Sequence, residues 1–104
     1  MNQRELLEFC DELLKDVRAT LAAKNSDYTA QSEDAFANFS ISEEFGVPRL
    51  VGLSVRMGDK FQRVKSFCKS NNLQAESAED AFLDIIGYSV IALAMLSEKD
   101  SADE

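Results

Sequence analysis

The chain has no histidine, one proline, two cysteines and four glycines in 104 residues. Without histidine it lacks the usual general base, the usual zinc ligand and any serine–histidine triad. Cys10 and Cys68 lie far apart and outside any CxxC arrangement, so no disulfide framework and no oxidising compartment are expected. Each sits beside a phenylalanine, Phe9 or Phe67, on an apolar stripe, and both are expected to be buried free thiols. Long hydrophobic runs are also missing. The longest nearly uncharged stretch, 85–97, is about 13 residues, against the roughly 20 that a bilayer requires. The opening Met-Asn-Gln-Arg-Glu carries no apolar core of a signal peptide, so a cytoplasmic protein without membrane contact is expected.

Positive charge is scarce too. Eleven basic residues face nineteen acidic ones, a net charge of −8. An acidic chain repels a nucleic-acid backbone, so nucleic acid is not an expected partner. Surplus carboxylates are hard oxygen ligands, and a divalent cation is compatible with them.

What is present is helical periodicity. Leu6, Leu7, Phe9, Cys10, Leu13, Leu14, Val17 and Leu21 recur at three- and four-residue spacings and predict a helix over 3–24. The turn formers Asn25-Ser26-Asp27-Tyr28 are expected to end it. Ser32-Glu33-Asp34 is expected to open a short helix carrying Phe36 and Phe39. Three phenylalanines in ten residues, Phe45 included, mean that this segment is packed down. Gly46 reads as a C-cap. Pro48 suits the first turn of a third helix running to about Ser70, before a turn at Ser70-Asn71-Asn72. Ser77 with Asp80 fits a capping box for a fourth helix ending near Glu98, with a frayed tail over 99–104. No strand-like alternation survives.

The fold class is therefore all-α: one domain over 1–98, a small bundle of three long helices plus one short helix. The fourth helix is apolar nearly all the way round from Ile85 to Leu96, where a surface helix would show a polar stripe. So small a chain has few helices with which to surround it. Completion of the bundle by homo-oligomerisation, most simply as a dimer, is expected.

Chemistry concentrates on the third and fourth helices. Glu76, Asp80 and Asp84 stand at i, i+4 and i+8, one above another on a helix side, with Glu79 nearby. No Lys or Arg occurs between Lys69 and Lys99 to neutralise them locally. Asp84, flanked by Phe82, Leu83, Ile85 and Ile86, needs a cation. Two sources fit. One is a metal such as Mg²⁺. The other is the third helix, where Arg56, Lys60 and Arg63 stand at i, i+4 and i+7 with Asp59 among them. That basic stripe fits either phosphate oxygens or an ion-pair seam between helices. Gly52, Gly58 and Gly87 lie inside helices, which close approach of a neighbour would explain.

Several short blocks occur in order over about 24–90: Lys24-Asn25-Ser26-Asp27-Tyr28, Phe36-Ala37-Asn38-Phe39, Gly46-Val47-Pro48, Arg56-Met57-Gly58-Asp59-Lys60 with Arg63, Glu76-Ser77-Ala78-Glu79-Asp80, and Asp84 with Gly87-Tyr88. With them the chain resembles the nucleotide-modification-associated domain family of phages and bacteria, once a domain of unknown function. That family is similar to the all-α, MazG-like nucleotide pyrophosphohydrolases. These are oligomeric helical bundles that use Mg²⁺ to cleave a nucleoside triphosphate to the monophosphate and pyrophosphate. The resemblance implies Mg²⁺ on Asp80, Asp84, Asp59 and Glu76, with Asp80, Asp84 and Asp59 as catalytic groups. It implies phosphate contacts from Arg56, Lys60 and Arg63. It implies a base- or sugar-contacting set of Lys24, Asn25, Asp27, Tyr28, Asn38 and Phe39. The group's pattern is Glu-Glu-x-x-Glu on one helix and Glu-x-x-Asp on the next. Here the third helix offers only Asp59 and the fourth Asp80-x-x-x-Asp84. Two alternatives stand beside the Mg²⁺-dependent enzyme: a protein that binds a nucleotide or cyclic nucleotide without cleaving it, and an acidic protein-interaction domain.

Overall fold

The computed structural model describes the backbone of residues 1–28, 34–70 and 75–103, and the side chains of 1–24, 34–70 and 78–98. The described residues are helical with no strand: α1 is Gln3–Tyr28, α2 Ile41–Glu44, α3 Arg49–Ser70 and α4 Ala75–Asp103, with a 3-10 turn at Ala37–Phe39 before α2. Contacts gather the chain into two compact units, Met1–Ala35 and Phe36–Glu104.

The first unit is α1. Asn2 caps it: the Glu5 amide donates to Asn2 Oδ1 at 2.8 Å, and the Asn2 amide donates to Glu5 Oε1 at 3.4 Å. This reciprocal box satisfies helix donors that would otherwise be orphaned. The helix does not stop at Asn25 but continues to Tyr28. Asn, Ser and Asp each cost only a few tenths of a kcal/mol relative to Ala in a helix, and without a Gly or Pro they do not end one. Along α1, Leu6, Leu7, Phe9 and Leu14 are exposed. Cys10, expected to be buried, is exposed, and so is Cys68 on α3. An apolar neighbour in sequence places a thiol beside a greasy stripe but does not cover it.

The second unit is a helical hairpin with a strap. The expected short helix from Ser32 begins outside the described residues. After Phe36 the chain makes the 3-10 turn and then the single turn of α2. Ser40 Oγ donates to the Ala37 carbonyl at 2.7 Å, and Ser42 Oγ to the Phe39 carbonyl at 3.0 Å. Gly46 ends α2 with φ +77°. The Val47 amide reaches back to the Ser42 carbonyl and the Gly46 amide to the Glu43 carbonyl, both at 3.0 Å. This is a Schellman motif, in which a left-handed residue closes two carbonyls that the helix end leaves open. Pro48 lies just before α3, and its carbonyl accepts the amides of Val51 and Gly52.

Helices α3 and α4 make the main tertiary contact. They run antiparallel: Lys60 meets Asp84, while Pro48 and Val51, at the start of α3, line a shallow groove with Met95 and Leu96 of α4. Leu53 of α3 is fully buried, and Phe36, Phe39, Ala78 and Ala81 are buried too. Gly52 allows the strap to come close. A Cβ built there would lie 2.9 Å from Ser42 Cβ. At Gly58 a Cβ would meet nothing within 4 Å, so close approach does not explain that glycine.

Helix α4 begins at Ala75 and reaches Asp103. Ser77 is therefore inside its first turn and not at its cap, and the backbone stays helical past Glu98, where fraying was expected. Within Ala78–Glu98 an 18-residue stretch reaches a mean hydropathy of 1.6, long and apolar enough by composition alone to cross a membrane. The count of about 13 uncharged residues missed this, because Asp84 interrupts an otherwise apolar stretch without making it hydrophilic on average.

Candidate functional site

The inward stripe of α3 explains where its cations go. Arg49, Leu53, Arg56, Lys60 and Arg63 follow one another at four- and three-residue steps, so they share a helix face. Leu53 points into the core, and the cations on either side of it reach the strap and α4. The Arg49 guanidinium lies 5.4 Å from the centre of the Phe36 ring, and Arg56 lies 5.1 Å from that of Phe39. A cation over an aromatic face is held by the ring quadrupole, at about 0.5–2 kcal/mol depending on desolvation. Arg49 Nε also meets Glu43 at 2.8 Å.

One step further along, Lys60 Nζ lies 2.9 Å from Asp84 Oδ2. The two side chains are only 19% and 25% exposed. Of the two cation sources that the sequence left open for Asp84, the third helix supplies one in Lys60. Tyr88, one turn beyond Asp84, sets its ring edge-on to Phe39, with centroids 6.2 Å apart at 77°. The outcome is one cluster from three elements: Phe39 of the strap, Arg56 and Lys60 of α3, and Asp84 and Tyr88 of α4.

Among the residues expected to form a site, Phe39, Arg56, Lys60 and Asp84 meet here, with Asn38 half-buried in the same 3-10 turn. Phe39 is only 5% exposed. Its ring is taken up by Arg56 and Tyr88, so it positions a guanidinium and has no free face for a base. Arg63 continues the stripe but is exposed. Asp59 and Asp80 are exposed; Asp80 stands one turn before Asp84, and Asp59 sits beside Lys60 in sequence on another side of α3. The side chains of Asn25, Asp27, Tyr28 and Glu76 lie outside the described residues. Lys24 is exposed and belongs to the first unit. Sequence reasoning gave no role to Arg49 or Tyr88. The seven-residue repeat Arg49, Arg56, Arg63 was the available signal for the first.

Among the described residues no three His, Cys, Asp or Glu side chains gather to hold a metal ion. Of the expected Mg²⁺ ligands, Asp84 is engaged by Lys60, and Asp80, one turn before it, is the nearest other described carboxylate on its side of α4. A hard divalent cation wants six oxygen ligands. The described carboxylates do not by themselves make such a site.

No family model matches the chain, and neither a curated protein nor a solved structure does so.

Proposed function

We propose that this protein binds a nucleotide without cleaving it, through phosphate contacts on the cationic stripe of α3. The observation that carries the reading is the distribution of charge. Six of the eleven basic residues lie on α3 with a single acid, Asp59, so this helix is +5 in a chain of −8, and four of the six, Arg49, Arg56, Lys60 and Arg63, share the stripe. Arg56 and Arg63 offer planar forks of N–H donors that suit phosphate oxygens. Phe39 holds Arg56 from behind, and Asp84 holds Lys60. Self-association, as a homodimer or higher homo-oligomer that completes the three-long-helix bundle, belongs to the same proposal.

The test is thermal stability with each common nucleoside triphosphate, with and without Mg²⁺, and assay of the same samples for pyrophosphate. A ligand that binds only the folded state raises its melting temperature. Stabilisation with intact nucleotide supports the reading; no shift with any nucleotide overturns it. A second reading, Mg²⁺-dependent cleavage to a monophosphate and pyrophosphate, is favoured by exposed Asp80 one turn before Asp84. Pyrophosphate release would decide for it.

A further inference from the structure

Helices α3 and α4 meet in a four-residue register. Arg56 and Lys60 stand one turn apart on α3, and Asp84 and Tyr88 stand one turn apart on α4. Because the helices run antiparallel, Lys60 falls to Asp84 and Arg56 to the level of Tyr88. The first pairing is direct, at 2.9 Å. The second runs through the strap. Phe39 meets both residues, with the Arg56 guanidinium 5.1 Å from its ring centre and the Tyr88 ring edge-on at 6.2 Å.

We propose that Tyr88 is a positioning residue for Arg56, acting through the Phe39 ring. The inference rests on the phosphate-binding role proposed above for the α3 stripe. Two observations carry it. First, the plane of a phenylalanine ring is poorly fixed by its own torsion, whose wells are broad, so its neighbours must set it. Phe39 is buried, and Tyr88 packs on it at 77°, an arrangement that aromatic pairs favour. The ring of Tyr88 thereby fixes the face over which Arg56 sits. Second, the two cations are held by different means. Lys60 is held by a carboxylate, which takes an N–H donor from it. Arg56 is held over a ring, which attracts its charge without engaging the donors at the edge of its fork. Those donors remain suited to phosphate oxygens. An aliphatic side chain at position 88 would fill the same volume but would not fix the ring plane.

The experiment is calorimetric titration of the common ribonucleoside triphosphates into the full chain, Tyr88→Phe, Tyr88→Leu, Arg56→Lys and the double variant Tyr88→Leu/Arg56→Lys, with thermal unfolding of each. Tyr88→Phe keeps the ring and should retain the wild-type affinity. Tyr88→Leu should weaken binding by about three- to tenfold, the scale of an aromatic pair. In the Arg56→Lys background the same change should cost almost nothing further, because the group that Tyr88 positions has gone. A merely structural role would weaken binding equally in both backgrounds. A wild type that binds none of the triphosphates overturns the phosphate-binding reading and this inference together. Affinity that Tyr88→Leu leaves intact, or lowers equally in both backgrounds, overturns the inference and leaves the reading standing, and so does a loss in Tyr88→Phe. Should Tyr88→Leu fail to fold, Tyr88→Met, whose flexible side chain adapts to the space, takes its place in the cycle.

Discussion

Lys60 and Asp84 are joined across α3 and α4 at 2.9 Å, three-quarters or more shielded from solvent. Each partner makes the other tolerable in a largely apolar seam. Removing one leaves the other charge short of a counter-ion, whereas removing both leaves a seam that hydrophobic side chains can fill. Lys60→Met and Asp84→Leu should each destabilise the protein by about 1–3 kcal/mol, and the double variant should cost clearly less than their sum. Urea unfolding of the four proteins measures this. Additive losses would mean that the pair is not coupled.

Gly52 and Gly58 are set apart by what a methyl group would meet. Gly52→Ala pushes a Cβ against Ser42 at 2.9 Å and should cost about 1–3 kcal/mol. Gly58→Ala enters open space and should stabilise α3 by up to about 1 kcal/mol through helix propensity alone. Opposite shifts in melting temperature are the expected result.

Gly46, at φ +77°, occupies a conformation that an L side chain resists. Gly46→Ala should cost about 1–2 kcal/mol, and Gly46→Asn less, because Asn tolerates the left-handed region. Equal losses for the two would show that strain at this residue is not what the glycine relieves.

Arg56 separates charge from geometry. Arg56→Lys keeps the charge but loses the planar fork and its seat over Phe39. If the nucleotide reading holds, nucleotide affinity should fall by roughly 10- to 100-fold, the scale of a lost charge-assisted hydrogen bond. Phe39→Ala should weaken the same affinity indirectly and destabilise the fold by about 3–5 kcal/mol, since the ring is buried. Calorimetric titration with the nucleotide that gives the largest thermal shift reads both. Unchanged affinity in Arg56→Lys would remove Arg56 from the binding surface.

Helix periodicity made α3 and α4 legible in the sequence, and Gly46 with Pro48 two residues on marked the break between strap and hairpin. Those features are local, set by a few neighbouring residues. Asp84's need for a cation was legible as well, but which cation was not, because that choice depends on how α3 and α4 slide against each other. Burial failed where it depends on tertiary surroundings: Cys10 and Cys68 sit on apolar stripes yet are exposed, and of the three phenylalanines expected to pack down Phe36 and Phe39 are buried while Phe45 is exposed. The start of α1 at Gln3 was legible as well, although Asn2 and Glu5 were not read as its capping pair.

The +5 of α3 inside a chain of −8 has a kinetic consequence. The remainder of the molecule carries −13, so an approaching anion meets repulsion first. The cations of α3 dominate only within about a Debye length, roughly 8 Å at physiological salt. If the nucleotide reading holds, added salt should therefore speed the encounter even as it loosens the complex, the reverse of the usual steered association, in which screening slows arrival.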